Sequence, residues 1–326
     1  MGCKNGINNE EKRIKGAPLL NWTRKHVLGI EEMTTEEILI TFEKAAEYLE
    51  GIEKKPGVIL SDLKGYTAVN LFFEPSTRTR MSFELAQKRL GMEVINFSAG
   101  TSSLAKGETF IDTIQTIDAM NIDAIVMRHV QPGTPELATR YTDCPVLNGG
   151  DGSRAHPTQA LLDLFTIWNR GIDFEGLKVA IVGDILHSRV ARSEVLGLQK
   201  LGAEIILVGP PALIPGDLVS RGMEIEHDID NIIEDIDILY LLRIQKERMA
   251  EAFIPNEEEY FKIYGINKDR LAKTKENCYL MHPGPVNRGV EIEAGLVNHP
   301  KSLILEQVRN GVAMRMALLS LCIKGS

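Results

Sequence analysis

Apolar runs of strand length alternate with stretches of helical period along this chain, and they do so twice. Residues 68–73 form an apolar run of the kind a buried strand leaves, and Phe83, Ala86 and Leu90 follow at helical spacing, with Gly91 placed to end the helix. The same reading predicts a helix over 35–49, the 68–73 strand, a helix from about 80, a strand over 93–97 and a polar loop over 98–107. A helix through Ile111, Ile114 and Ile117 and a strand over 123–127, ended by Arg128, complete the first half. The alternation restarts with strands over 177–182, 203–208, 236–242 and 278–281, and a helix around 190–201. Between the halves lies a helix at about 157–170. Strand–helix alternation of this kind implies α/β architecture with mainly parallel sheets flanked by helices.

Length changes the picture from one domain to two, because 326 residues exceed what a single hydrophobic core commonly supports. The boundary is expected near 170, giving residues 1–170 and 171–305. The apolar run over 312–323, interrupted by Arg315, is too short to span a bilayer and reads as a docked helix. A net charge of −8 argues against nucleic-acid binding, which needs a basic surface, but leaves room for a small anion held by local arginines. The four cysteines, Cys3, Cys144, Cys278 and Cys322, are scattered without metal-ligand spacing, and the expected setting is a reducing cytoplasm.

The chemistry gathers where strands are expected to end, the side on which open α/β sheets bind ligands. Glu74-Pro75-Ser76-Thr77-Arg78-Thr79-Arg80 occupies a strand-to-helix turn. Free N–H groups and the positive dipole end of a helix suit a phosphate there, and Arg78 adds a planar fork. The alternative for this stretch is a helix cap with two surface arginines. Asn148-Gly149-Gly150-Asp151-Gly152 offers glycines that let backbone approach a ligand, and His156 and Gln159 share one face of the following helix start. They suit the carbonyl and amino groups of one small substrate, the alternative being a capping histidine and a solvated glutamine. Arg128 closes a strand, and Lys106 lies on the 98–107 loop. Arg189, Arg243, Gln245 and Arg248 could clamp carboxylates or serve in surface ion pairs. Gly183-Asp184 lacks the glycines of a dinucleotide fingerprint, which disfavours a nicotinamide-dependent dehydrogenase. No cofactor and no metal are expected.

Ser76-Thr77-Arg78-Thr79-Arg80, His156-Pro157-Thr158-Gln159 and His282-Pro283-Gly284-Pro285, in that order, resemble the aspartate/ornithine transcarbamoylase family from about residue 27 to the C-terminus. The segments used for ornithine are absent, and Leu242 to Arg248 looks like the aspartate-using branch. The resemblance implies transfer of a carbamoyl group from carbamoyl phosphate to L-aspartate in pyrimidine synthesis, and a first domain completed by a C-terminal helix over 306–326. It implies that Ser76, Thr77, Arg78, Thr79 and Arg128 hold the phosphate, while Thr79, Arg128 and His156 surround the carbamoyl oxygen. Gln159 and the backbone at Pro283 and Gly284 would receive the amino group. Arg189 would take the α-carboxylate, and Arg243 and Gln245 the side-chain carboxylate. Ser103 and Lys106 would enter from a neighbouring subunit of a homotrimer, Lys106 as a catalytic and aspartate-binding residue, with room for higher assembly with a regulatory chain or dihydroorotase. Glu74 would bridge the domains through Arg189 and Arg248. Gly284 departs from members that carry leucine there, so only backbone contacts carry over.

Overall fold

The computed structural model describes residues 22–98, 109–220, 223–244 and 257–325. Ser103, Lys106, Gln245 and Arg248 therefore lie outside the described residues, as does the 98–107 loop beyond its first residue. Two wholly parallel sheets organise the chain. The first has four strands in the order β2 (Glu93–Ser98), β1 (Thr67–Phe72), β3 (Ala124–His129), β4 (Val146–Asp151). The second has five, β7 (Glu224–Glu226), β6 (Glu204–Val208), β5 (Lys178–Val182), β8 (Ile238–Leu241) and β9 (Tyr279–Met281). In each sheet the order reverses once, between β1 and β3 and between β5 and β8. Those reversals open a crevice at the strand carboxyl ends.

Helices fix where the crevice faces. α1 (Thr35–Lys54) opens with a capping box between Thr34 and Glu37. α2 (Thr77–Arg89) follows β1 and starts three residues earlier than the spacing of its apolar positions predicts. Its first turn is polar because it faces the crevice rather than the core, which removes the periodic signal there. A reciprocal amide pair, Asn70 Nδ2 to Gln87 Oε1 at 3.0 Å and Gln87 Nε2 to Asn70 Oδ1 at 2.8 Å, pins α2 against β1 within the core. Each bond contributes on the order of 1 kcal/mol and leaves no buried amide group unpaired on that face. α3 (Phe110–Asp118) and the short α4 (Thr134–Ala138) complete the first sheet's connections.

α5 (Pro157–Asn169) is buried almost all round and packs on β4, α1 and α6 (Arg189–Leu201). A helix without a solvent face is the expected form for a spine between two layers. α7 (Gly216–Ser220), α8 (Glu257–Tyr264) and α9 (Lys268–Lys273) belong to the second sheet's surroundings. α10 (Ile304–Lys324) returns to the first sheet's helices and packs on α1, α2 and α5. No helix among the described residues is long and apolar enough to cross a membrane.

Candidate active site

A cleft of about 1130 Å³ opens where the reversal points of the two sheets meet. Glu74, Ser76, Thr77, Arg78, Thr79, Arg128, His156, Gln159, Arg189, Arg243, Pro283 and Gly284 all line it, so the candidates of the sequence reading other than the 148–152 stretch lie, where described, in one place.

The turn after β1 delivers the N-terminus of α2. Ser76 is its N-cap residue in extended backbone, yet its side chain makes no capping bond, and no acidic residue sits in the first turn. The simple helix-cap alternative is therefore not what the structure adopts. The first backbone N–H groups of a helix have no intrahelical acceptor, so this terminus offers donors and a partial positive charge to the cleft. Arg78 projects from the same turn. Partial burial, then the neighbouring Arg243 charge, lowers its pKa. Like charges held this close are stabilised by an anion placed between them.

Arg128 leaves β3 at a register shift between Met127 and His129, an irregularity that re-aims a strand residue. Its Nη1 donates to Gly149 O at 3.1 Å and its Nη2 to Glu74 Oε1 at 2.8 Å. Arg189, at the start of α6 and buried, donates to Glu74 Oε2 through Nη1 and Oε1 through Nη2, both at 3.0 Å, and to Gly152 O at 3.0 Å. Glu74 thus joins arginines from the two sheets. Burial alone would raise its pKa, but the hydrogen bonds and charges of Arg189 and Arg128 outweigh burial and lower it. The expected bridge to Arg189 is present, with Arg128 as the second described partner.

The 148–152 stretch corrects one expectation. Residues 148–151 belong to β4 and are buried, and Gly150 among them admits the two arginines instead of a ligand. A Cβ on Gly150, at φ +116, would lie 3.0 Å from Arg189 Cζ and 3.1 Å from Arg128 Nη1.

His156 is the N-cap residue of α5 without a capping bond from its side chain; its backbone N–H donates to Ser193 Oγ at 2.9 Å. The imidazole is buried, and its Nδ1 has no hydrogen-bond partner among the described residues. Burial, then the charges of Arg128, Arg189 and Arg315, push its pKa well below the usual histidine range. The ring is neutral at physiological pH and serves as a fixed dipole rather than a cation. NMR titration of the His156 ring is expected to show no protonation step between pH 6 and 8; a step near 6.5 would contradict this assignment.

Gln159 turns its Nε2 onto the buried Asp163, at 3.0 Å from Oδ1 and 3.1 Å from Oδ2, so it is not a solvated side chain. In the turn after β9, the buried His282 accepts at Nδ1 from Gly284 N at 2.8 Å and shapes the backbone at Pro283 and Gly284. Burial, with Arg78 and Arg243 beside it, lowers the His282 pKa to about 3. Gly284 has φ +68, and a Cβ there would lie 2.8 Å from Arg78 Nη1, so this glycine leaves room for the arginine.

Sequence reasoning missed Arg315, which lines the cleft from α10 and donates to Ser82 Oγ at 3.0 Å and Gly311 O at 2.9 Å. The signal was there: a single arginine inside an apolar helix is costly unless it is used. Five guanidiniums thus line one cleft, a charge set suited to two small anions held side by side.

Comparisons with known proteins agree along the chain. The family model described as aspartate/ornithine carbamoyltransferase, carbamoyl-P binding domain, matches residues 25–169. The one described as aspartate/ornithine carbamoyltransferase, Asp/Orn binding domain, matches residues 175–322. The aspartate carbamoyltransferase catalytic subunit of Granulibacter bethesdensis is 49% identical over 92% of this chain and 95% of its own. That of Caldanaerobacter subterraneus is 48% identical over 91% and 97%. The catalytic subunit of M. jannaschii aspartate transcarbamoylase superposes with a TM-score of 0.81 at 37% identity, over 92% of this chain and 98% of that one. Aspartate transcarbamoylase from Trypanosoma cruzi, solved with carbamoyl phosphate and aspartate, gives 0.82 at 32% identity, over 93% and 96%.

Proposed function

We propose, for a chain that belongs to the aspartate/ornithine carbamoyltransferase family, that this cleft transfers the carbamoyl group of carbamoyl phosphate to the amine of L-aspartate. The products are N-carbamoyl-L-aspartate and phosphate, and the reaction is the committed step of de novo pyrimidine synthesis. The observation that carries the reading is the convergence of Arg78, Arg128, Arg189 and Arg243, from the reversal points of both sheets, on one cleft with a free helix N-terminus.

The residues divide by chemistry. The α2 terminus, with Ser76, Thr77, Arg78 and Thr79, takes the phosphate, joined by Arg128. Thr79, Arg128 and His156 face the carbamoyl oxygen. Gln159 and the backbone carbonyls around Pro283 and Gly284 accept from the amino group. Arg189 takes the α-carboxylate, and Arg243 and Gln245 the side-chain carboxylate. The free amine attacks the carbamoyl carbon, forming a C–N bond and placing negative charge on the carbamoyl oxygen. That intermediate collapses by breaking the bond to the phosphate oxygen, which leaves with the electron pair. The departing phosphate is the base that takes the amine proton, since the charges acting on His156 are those of arginines and Glu74 of the phosphate motif is engaged by Arg128 and Arg189. Fixed donors in a dry site supply the largest share of such an acceleration, with alignment of the reactants adding several kcal/mol.

We assign residues up to 170, together with α10, to the half that binds carbamoyl phosphate, and 171–305 to the half that binds aspartate. This division is supported by the end of α5 and by the separate sheets on either side of it. A cytoplasmic setting is supported by the buried thiols of Cys144 and Cys278, which form no disulfide among the described residues. The functional unit is read as a homotrimer in which Ser103 and Lys106 complete a neighbour's site. Mixing inactive Arg78→Ala and Lys106→Gln subunits is then expected to restore part of the activity, because some sites in the hybrid receive neither substitution. Verified hybrids with no recovered activity would reject sharing.

Carbamoyl transfer to aspartate, ornithine and related amines, assayed side by side, tests the function itself. Product is expected with aspartate; preferential transfer to ornithine would overturn the reading.

A further inference from the structure

We infer that Asp163 is a positioning residue that sets which donor the cleft accepts, by fixing two glutamines in the orientation that recognises an amino group. The inference rests on the function proposed above. Asp163 lies in the buried helix α5, fully enclosed, between the two sheets. It accepts from Gln159 Nε2 at 3.0 and 3.1 Å, from Gln307 Nε2 of α10 at 2.7 Å, and from Tyr240 OH of β8 at 2.5 Å. An ionised carboxylate only accepts, so both glutamines must turn their nitrogens toward it and their oxygens away.

The two oxygens have different destinations. Gln307 Oε1 accepts from His282 N at 3.0 Å and so holds the start of the turn that carries Pro283 and Gly284. Gln159 is half-buried and lines the cleft, and its side-chain hydrogen bonds among the described residues run from Nε2 alone, so Oε1 is available to the cleft as an acceptor. One carboxylate therefore orients both parts of the receptor assigned to the carbamoyl amino group. A second buried carboxyl, Glu194 of α6, has no hydrogen-bond partner for either oxygen among the described residues. Burial and the Asp163 charge raise its pKa strongly. Burial raises the Asp163 pKa too, to about 6, but its four donor contacts hold it below that of the unbonded Glu194, so the charge of the pair rests on Asp163 and the proton on Glu194.

An amide at 163 would present a donor as well as an acceptor to Gln159 and remove the constraint on its orientation. With the amide of Gln159 turned over, an N–H would face the N–H of the substrate. Acetyl phosphate carries a methyl group at that position and makes no such demand. It reacts through the same bonds, with acetyl replacing carbamoyl and phosphate leaving with the electron pair.

The test compares kcat/KM for carbamoyl phosphate and acetyl phosphate, with aspartate as acceptor. Asp163→Asn is expected to reduce the preference for carbamoyl phosphate by about tenfold, the scale of one well-made hydrogen bond. In a Gln159→Ala background the same substitution should change the preference little. A folded Asp163→Asn enzyme with an unaltered preference would overturn the inference, because a purely structural role lowers both activities alike. Should that variant not fold, Gln307→Met, which removes the acceptor of His282 N and one of the two donors to Asp163 Oδ1, is expected to reduce the preference severalfold; an unaltered preference there overturns it equally. Absence of carbamoyl transfer to aspartate by the unsubstituted chain would instead reject the proposed function.

Discussion

Arg78→Ala is expected to lower turnover by about a thousandfold while weakening carbamoyl phosphate binding far less. The reason is the division of labour at the α2 terminus. The backbone donors of the first turn and the hydroxyls of Ser76, Thr77 and Thr79 remain after the substitution, so ground-state capture of phosphate survives. What is lost is the Arg78 guanidinium, a planar fork placed to meet the charge that grows on the leaving oxygens. Guanidiniums in that role contribute factors on the order of a thousand or more. Arg243 stands near enough to press on the Arg78 charge, but it leaves a different strand end and is assigned to aspartate. Steady-state turnover with an independent measurement of carbamoyl phosphate affinity checks the prediction. Equal losses in both would make Arg78 a binding group and nothing more.

His156→Ala is expected to cost about a hundredfold or more in turnover, with little change in the Michaelis constant for carbamoyl phosphate. The imidazole is neutral and buried at the mouth of α5, where the developing oxyanion is assigned. Removing a single preorganised donor to such an oxygen has an effect of this size. The experiment reads chemistry with little contribution from helix capping, because the side chain makes no capping bond and the backbone bond to Ser193 survives truncation. An unchanged turnover number would remove His156 from the mechanism.

The legible parts of this site are those in which one segment carries both the structural and the chemical signal. The runs before Glu74, Arg128, Gly183 and Arg243 are apolar enough to mark buried strands, and the polar residue that breaks each run stands at a carboxyl end. Parallel topology then brings these ends together without any further sequence information. β4 was hidden because Asn148, Gly149, Gly150 and Asp151 have low strand propensity, while the buried network of Asn148, Asp151 and Leu28 O stabilises them as a strand. Asp163 was hidden for the opposite reason: in a helix that is apolar on nearly every side, one carboxylate reads as an interruption. Its partners Tyr240 and Gln307 are 77 and 144 residues away, a separation at which no local pattern operates.

Glu74 gives the chain a tethered counter-ion for two arginines drawn from different sheets. Under the role proposed for Arg189, an incoming carboxylate would take the place of a resident acid, an exchange between equals in charge. Glu74, bonded at once to Arg128 of β3 and Arg189 of α6, is the joint through which such an exchange in one half would be felt by the other.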